Sequence, residues 1–157
     1  MSIAITLGRQ RARLLEAIGL RRLAAHAWGE VLLIDPSNLE AACRLGRIAL
    51  ARRREEEALG WFTRATRLAG DDAAAWYGLG LSHAGLGAHA DAADAFAHAL
   101  TQRPDDGDVL HQLGLAQHRA GQGDAFGLTL AKLDRIDASR ARLLRDELAE
   151  AAGSDAT

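Results

Sequence analysis

The chain has 157 residues, 48% of them hydrophobic but only 4% aromatic, so it can form one domain whose core consists mainly of small and aliphatic side chains. This composition favours closely packed helices over strands. The formal net charge of -2 lacks the strong positive balance of a typical nucleic-acid-binding domain, so nucleic acid is not expected as a partner.

The beginning of the chain predicts neither a signal peptide nor a membrane span. Residues 1–12 contain no uninterrupted apolar segment, and arginines stand at positions 9, 11 and 13. Cys43 is the one cysteine, so no intrachain disulfide can form, and a reducing cytoplasm is the expected location. The use of 18 arginines against a single lysine, together with abundant alanine, suggests a GC-rich bacterial genome.

Charge is distributed unevenly along the chain. Residues 1–70 contain 12 arginines and 7 acidic residues, a balance of +5, whereas residues 71–157 contain 7 basic and 14 acidic residues, a balance of -7. A molecule with this asymmetry is dipolar along its length. The asymmetry permits a homo-oligomer in which the basic half of one copy meets the acidic half of the next.

The sequence repeats with a period of 34 residues. Matching pairs in the second and third units are Leu45 and Leu79, Gly46 and Gly80, Ala58 and Ala92, and Phe62 and Phe96. Prolines 36 and 104 fall at equivalent places near the ends of the first and third units. The period defines four units, residues 5–38, 39–72, 73–106 and 107–140.

Each unit predicts a helical hairpin, because two amphipathic stretches with apolar residues three and four apart flank a short break. Gly80 lies inside the first helix of its unit, where glycine costs about 1 kcal/mol relative to alanine. Its recurrence predicts a close approach of the second helix, with Ala58 and Ala92 as the facing small residues. Phe62 and Phe96 are expected to fill the space between units.

Residues 138–152 predict one further helix, with Leu143, Leu144 and Leu148 along one face and mostly charged residues on the other. Its expected role is to cap the core of a single domain that spans residues 1–152. Residues 153–157 are expected to be disordered.

The third unit carries the signature positions of a known family. They are Trp76, Leu79, Gly80, Ala92, Phe96, Ala99 and Pro104, with His83 where the family usually has tyrosine. This pattern resembles the tetratricopeptide repeat, and the match covers residues 5–140. The outer units depart from it: Gly8 and Arg11 replace large apolar residues in the first, and Phe126 and Leu130 replace the small and the aromatic residue in the last.

The resemblance implies an all-α, right-handed α-solenoid of four hairpins plus a C-terminal capping helix. Trp76 and Phe96 are then expected to be buried. The family's first helices line a concave groove, and the same offsets predict a partner-binding set of Arg44, Arg47, Tyr77, Leu81, His111, Leu115, His118 and Arg119. In the first unit they give Arg9, Arg13 and Glu16. Such a groove is basic at its N-terminal end and apolar in the middle, which suits a peptide with acidic and hydrophobic residues.

No catalytic, cofactor-binding or metal-binding motif is found, so the chain is not expected to be an enzyme. His111 and His118 lie seven residues apart on one helix, about 10.5 Å, which is too far to share a metal ion. Cys43 is interpreted as a small hydrophobic residue, although Arg44 and Arg47 could lower the pKa of its thiol if it faces the groove. Residues 52–57, three arginines followed by three glutamates, are expected to form solvated surface pairs.

Three classes of function remain open. The leading one is an adaptor or scaffold that binds a protein or peptide in the groove. The second is a secretion chaperone, because type III chaperones also resemble three such repeats plus a terminal helix. The third is a non-catalytic subunit or domain of an enzyme complex.

Overall fold

The computed structural model describes residues 3–154, and every regular element in that range is an α-helix. In chain order the helices are α1 (Ile3–Ala17), α2 (Arg21–Ile34), α3 (Leu39–Leu50), α4 (Glu55–Leu68), α5 (Ala73–Gly85), α6 (His89–Gln102), α7 (Gly107–Arg119), α8 (Gly123–Ile136) and α9 (Ala138–Ser154). Each helix packs on the next, α3 also contacts α5, and α7 also contacts α9. The predicted all-α architecture of stacked helical hairpins is confirmed.

The turn inside each hairpin needs a left-handed backbone conformation. Gly19, Gly87 and Gly121 supply it with φ angles of 78°, 76° and 72°. Arg53 occupies the same place in the second hairpin with a φ of 56°, and it is the one non-glycine residue with positive φ among residues 3–154. Side chains rarely adopt this conformation, so Arg53 carries a strain that the three glycines avoid.

The first helices of the second, third and fourth hairpins begin after a capping side chain. Asn38, Asp72 and Asp106 each accept a hydrogen bond from the backbone N–H three residues further on, at 3.0, 2.7 and 3.2 Å. Such caps satisfy N–H groups that lack a partner within the helix. Because the caps recur every 34 residues, α3, α5 and α7 begin at equivalent points and present equivalent faces.

Glycines inside the first helices accommodate aromatic rings from the second helices. A Cβ atom on Gly46 would lie 2.7 Å from the ring of Phe62, and one on Gly80 would lie 2.5 Å from the ring of Phe96. Real Cβ atoms essentially never approach another atom so closely. In the second and third hairpins, a phenylalanine ring of the second helix therefore packs directly against a glycine of the first helix.

This contact corrects the sequence-based expectation that Ala58 and Ala92 face the glycines. Both alanines are fully buried, but the partner of each glycine is the phenylalanine one turn further along. Phe62 also faces Gly78 of α5, so its ring lies between two successive first helices. The expected role of Phe62 between units is confirmed.

The last hairpin uses α9 in place of an aromatic ring. Leu130 stands where the other hairpins have Phe or Trp, and Gly114 is met instead by Leu144 of α9, which would lie 2.7 Å from a Cβ at residue 114. Leu144 and Ala141 have no exposed surface. α9 extends to Ser154, two residues beyond the predicted end of the capping helix, and residues 155–157 of the predicted disordered tail lie outside the described residues.

The structure confirms the predicted burial of Phe96 but not that of Trp76. Phe96 is fully buried, as predicted, but Trp76 is only half-buried. Its indole N–H donates to the carbonyl oxygen of Gly70 at 2.7 Å, and its ring stacks on His98 at a centroid distance of 4.3 Å. The prediction that Trp76 is buried was therefore wrong, because one edge of the ring stays near solvent to make that hydrogen bond.

In the first hairpin, Ala12 takes the place of the buried glycines and has no exposed surface. Arg11, at a place that is apolar in later units, is exposed and pairs with Glu30 at 3.0 Å. Trp28 of α2 is fully buried, and its indole N–H donates to Glu16 at 3.2 Å.

Candidate partner-binding groove

A pocket of about 390 Å³ lies between α3 and α5, and we call it the α3–α5 groove. Its lining residues are Glu40, Cys43, Arg44, Arg47 and Leu50 from α3, Phe62 from α4, and Ala74, Tyr77, Gly78 and Leu81 from α5. The structure thus brings together four residues of the predicted partner-binding set, Arg44, Arg47, Tyr77 and Leu81.

The predicted set lacks Phe62, which belongs to a second helix and was expected only in the core. Its ring reaches the groove because Gly78, which faces it, has no side chain. The sequence feature that could have indicated the role of Phe62 is Gly78, a second glycine two residues before Gly80. The 34-residue comparison does not show it, since the equivalent positions carry Arg44 and Gln112.

Two glutamates pair with most of the arginines at the N-terminal end of the groove. Glu40 accepts hydrogen bonds from the Arg9 guanidinium at 2.5 and 2.9 Å and from the Arg13 guanidinium at 2.8 Å. Arg44 lies 3.3 Å from Glu16 and 3.8 Å from Glu40. Three arginines therefore share two carboxylates, which reduces the positive charge expected at this end of the groove without removing it.

The ionisation of Glu40 is set by two opposing effects. Burial by itself would raise the pKa of this carboxyl group, but the hydrogen bonds and charges of Arg13 and Arg9 outweigh it and lower the pKa below 4.5. Glu40 is therefore ionised at neutral pH and holds α1 against α3.

Arg47 differs from Arg44 in its surroundings. Its guanidinium is exposed at the groove and makes no ion pair or hydrogen bond with any residue in the described range 3–154. A guanidinium without a partner can form two parallel hydrogen bonds with a carboxylate. Of the two predicted arginines, Arg47 is the one free to bind an acidic group.

Tyr77 and Leu81 form an apolar wall of the groove and are both half-buried. The Tyr77 ring lies 5.6 Å from the ring of Phe96, so part of its surface is used in packing. Burial, followed by the negative charges of Asp108 and Asp106, raises the pKa of Tyr77. Its hydroxyl group stays protonated at neutral pH and can donate a hydrogen bond.

A second, smaller pocket of about 220 Å³ continues from Tyr77 towards α7. It shares Ala74 and Tyr77 with the α3–α5 groove and adds Arg103, Asp106 and Asp108 among its lining residues. Tyr77 therefore lines both pockets and lies at the boundary between them.

The other four predicted groove residues lie on α7, away from the α3–α5 groove. His111 is buried, and its Nε2 lies 3.2 Å from a carboxylate oxygen of Glu147 on α9. Leu115 packs in the cluster formed with Leu144. α9 thus covers part of the surface that the offsets had assigned to a partner.

His118 and Arg119 are exposed at the end of α7. The His118 ring contacts the Phe126 ring edge-on at 5.4 Å. The residues on α7 therefore do not extend the groove as one continuous open surface.

Cys43 lines the groove but is not activated there. Burial and then the charge of Asp72 raise the pKa of its thiol to about 11, in spite of Arg47 and Arg44. The two arginines do lower the pKa, as expected, but burial and Asp72 outweigh them, and the interpretation of Cys43 as a small hydrophobic residue fits. Among residues 3–154 no three His, Cys, Asp or Glu side chains are grouped so that they could hold a metal ion.

Stacked hairpins with a groove between successive first helices define a helical-repeat protein. The sequence profile of the Tetratricopeptide repeat matches residues 9–73 and 62–108. The chain belongs to the tetratricopeptide repeat family, whose members are protein-interaction modules, and it is accordingly a protein-interaction scaffold.

Tetratricopeptide repeat protein 8 of Caenorhabditis elegans is 32% identical to the chain over 108 residues. The alignment covers 68% of this chain but only 21% of that protein, so the chain spans about a fifth of the relative's length.

Solved structures with the same fold include two of MamA. A crystal structure of MamA has a TM-score of 0.79 and 22% identity, covering 88% of this chain and 75% of that one. The structure titled MamA 41-end from Desulfovibrio magneticus RS-1 has a TM-score of 0.78 and 22% identity, covering 86% and 76%. At this identity the likeness concerns the fold. No helix within residues 3–154 combines the length and apolar character needed to cross a membrane.

Proposed function

We propose that the chain is an adaptor that binds an extended or helical segment of a partner protein in the α3–α5 groove. One observation carries this proposal: the unpaired guanidinium of Arg47 lies in the same pocket as the apolar side chains of Leu50, Phe62 and Leu81. Aromatic and arginine residues are the types most often found at binding hot spots.

The groove selects a ligand with a particular pattern. A large apolar side chain fits against the half-buried Leu50 and Leu81, where it displaces water from apolar surface, and the buried ring of Phe62 closes the pocket beneath them. An acidic residue of the same segment reaches Arg47, and the Tyr77 hydroxyl group can donate to a backbone carbonyl. Because Arg9, Arg13 and Arg44 are already paired, we expect one acidic residue in the ligand to contribute rather than a long acidic run.

We further propose that the partner is a protein, in preference to nucleic acid or a membrane, and that the chain acts in the cytoplasm. The first choice is supported by the small net charge and by the pairing of most groove arginines. A secretion chaperone and a non-catalytic enzyme subunit would use the same groove with different partners.

The first experiment identifies the partner by co-purification from the native host. The wild-type chain and the Tyr77→Ala variant serve as parallel baits, so that proteins recovered only with the wild type are candidates for the groove. An assembly component, a secreted substrate or an enzyme among them decides between the three classes. Equal recovery of every partner with both baits would contradict the proposal that a partner binds in the α3–α5 groove.

The second experiment measures the affinity of the identified segment by titration calorimetry. We expect Arg47→Glu to weaken binding about 10-fold to 100-fold in a salt-sensitive way, because it removes an ion pair and introduces a repulsive charge. Tyr77→Ala should weaken binding by about 10-fold or more with little salt dependence. Arg67→Glu is the matched control, since Arg67 is exposed on α4 outside the groove. Unchanged affinity in both groove variants, with the circular dichroism spectrum intact, would show that the partner binds outside the α3–α5 groove.

A further inference from the structure

The outward face of α1 carries a stripe of exposed aliphatic side chains. Ile3, Leu7, Leu14 and Ile18, the last directly after the helix, are 78%, 60%, 64% and 60% exposed. At 3.6 residues per turn they fall within a sector of about 60° around the helix axis. An aligned apolar stripe of this kind is uncommon on a helix that faces only water.

Leu7 and Leu14, the middle pair of the stripe, have buried equivalents in the later hairpins, whereas the equivalents of Ile3 and Ile18 are half-buried or exposed. One period further on, Leu7 corresponds to Ala41 and Leu14 to Ile48, which are 0% and 5% exposed. Two and three periods further on, the buried equivalents are Ala75, Ser82, Val109 and Ala116. On α3, α5 and α7 the preceding hairpin packs against the helix, so α1 displays a helix-packing surface that no element within residues 3–154 covers.

We propose that this stripe is covered by α1 of a second copy of the chain, packed antiparallel about a two-fold axis near Gln10. The stripe is symmetric about the point between Gln10 and Arg11, because Leu7 and Leu14 are equally distant from it, as are Ile3 and Ile18. An antiparallel pair therefore places Leu7 of each copy against Leu14 of the other. Such a self-complementary patch is what a two-fold dimer requires.

The charges beside the stripe fit the same arrangement. Arg11 lies at one flank of the midpoint, 3.0 Å from Glu30. A two-fold axis there brings two arginines and two glutamates together, so that each Arg11 can also reach Glu30 of the second copy. At the other flank Arg13 is held by Glu40, so its charge is already compensated.

The opposite end of the solenoid offers a poorer match to the stripe. The exposed side of α9 has one large apolar residue, Leu143, among charged residues that include Asp146 and Glu150. A head-to-tail contact would set four aliphatic side chains against a charged face that also includes Arg142 and Arg145. One helix packed on another is a small interface, so the dimer should form at about micromolar concentration.

Light scattering after gel filtration, over a range of protein concentrations, tests the proposal. We expect a concentration-dependent rise towards twice the 16.7 kDa mass of one chain. The double variant Leu7→Glu with Leu14→Glu should stay monomeric at concentrations about 100-fold above the wild-type midpoint, because each charge enters the interface twice. Leu128→Glu is the matched control, since Leu128 is 76% exposed on α8, and it should dimerise like the wild type.

A cysteine placed near the axis distinguishes this dimer from other assemblies. In a Cys43→Ser background, Gln10→Cys should give a disulfide-linked dimer under mild oxidation, whereas Thr101→Cys, an exposed position on α6, should not. A wild-type chain that stays monomeric at high concentration would overturn the proposal. Species that grow beyond two copies, or dimers that Leu7→Glu with Leu14→Glu leaves intact, would overturn it equally.

Discussion

The ring of Phe96 lies against Gly80 so closely that a Cβ atom at residue 80 would be 2.5 Å from the ring atom Cε1. This contact joins α5 to α6 and leaves no room for any other residue at position 80. The same relationship joins α3 to α4 through Gly46 and Phe62. The helix-interior glycines are therefore required by packing, although they cost helix stability.

Replacing Gly80 with alanine should lower the free energy of unfolding by about 1–2 kcal/mol, because overpacking against Phe96 exceeds the gain in helix propensity. Gly60 is the control, since it lies inside α4 with nothing within 4 Å of its Cβ position. Gly60→Ala should raise the free energy of unfolding by about 0.5–1 kcal/mol. Urea denaturation measures both, and equal effects would refute the contact.

Phe96→Ala and Trp76→Ala should differ in cost although both remove a large aromatic side chain. Phe96 is fully buried, so its loss should cost about 3–5 kcal/mol. Trp76 is half-buried, and we expect its loss to cost roughly 1–2 kcal/mol. Thermal or chemical unfolding followed by circular dichroism compares them, and a larger loss for Trp76→Ala would contradict the described burial.

Stability should depend on pH through Glu40. The pKa of this carboxyl group is lowered in the folded chain, so its contribution is fully present above about pH 4.5, the ordinary value, and is lost as pH falls through the lower folded pKa. Glu40→Gln should therefore cost about 1 kcal/mol at pH 7 and much less near pH 3. Glu57→Gln, which removes one exposed pair with Arg54, serves as the control.

Denaturation curves at pH 7 and pH 3 for the wild type, Glu40→Gln and Glu57→Gln provide the measurement. The stability difference between wild type and Glu40→Gln should shrink with acidification, while Glu57→Gln should stay close to the wild type throughout. A pH-independent difference for Glu40→Gln would show that the charge of Glu40 is not what holds α1 to α3.

The thiol of Cys43 should react slowly in the folded chain. With its pKa raised to about 11, the thiolate is scarce at pH 8, and alkylation by iodoacetamide should be roughly 100-fold slower than in the unfolded chain. The rate should rise with pH up to about 11. Mass spectrometry of timed samples gives the rates, and fast native labelling at pH 8 would mean that the groove arginines activate the thiol.

Much of the fold follows from the 34-residue period alone. The recurrence of Gly46 at Gly80 and of Phe62 at Phe96 indicates stacked helical hairpins, because each unit must bury the same face against its neighbour. The period reports which face of a helix is covered, but it does not say which face lines a groove. The tetratricopeptide resemblance implied that second step, and its offsets predicted Arg44, Arg47, Tyr77 and Leu81, which line one pocket.

Only the tertiary structure decided which side chains meet across those faces. Glu40 pairs with Arg9, 31 residues away, and His111 meets Glu147, 36 residues away, and neither pairing recurs along the repeat. Long side chains such as Arg47 can reach several neighbours, so their partners depend on the packing angle between hairpins and on the path of α9. The sequence by itself therefore determined the repeat, and the family resemblance added the expected position of the groove. The packing of the hairpins left Arg47 free and the stripe on α1 uncovered.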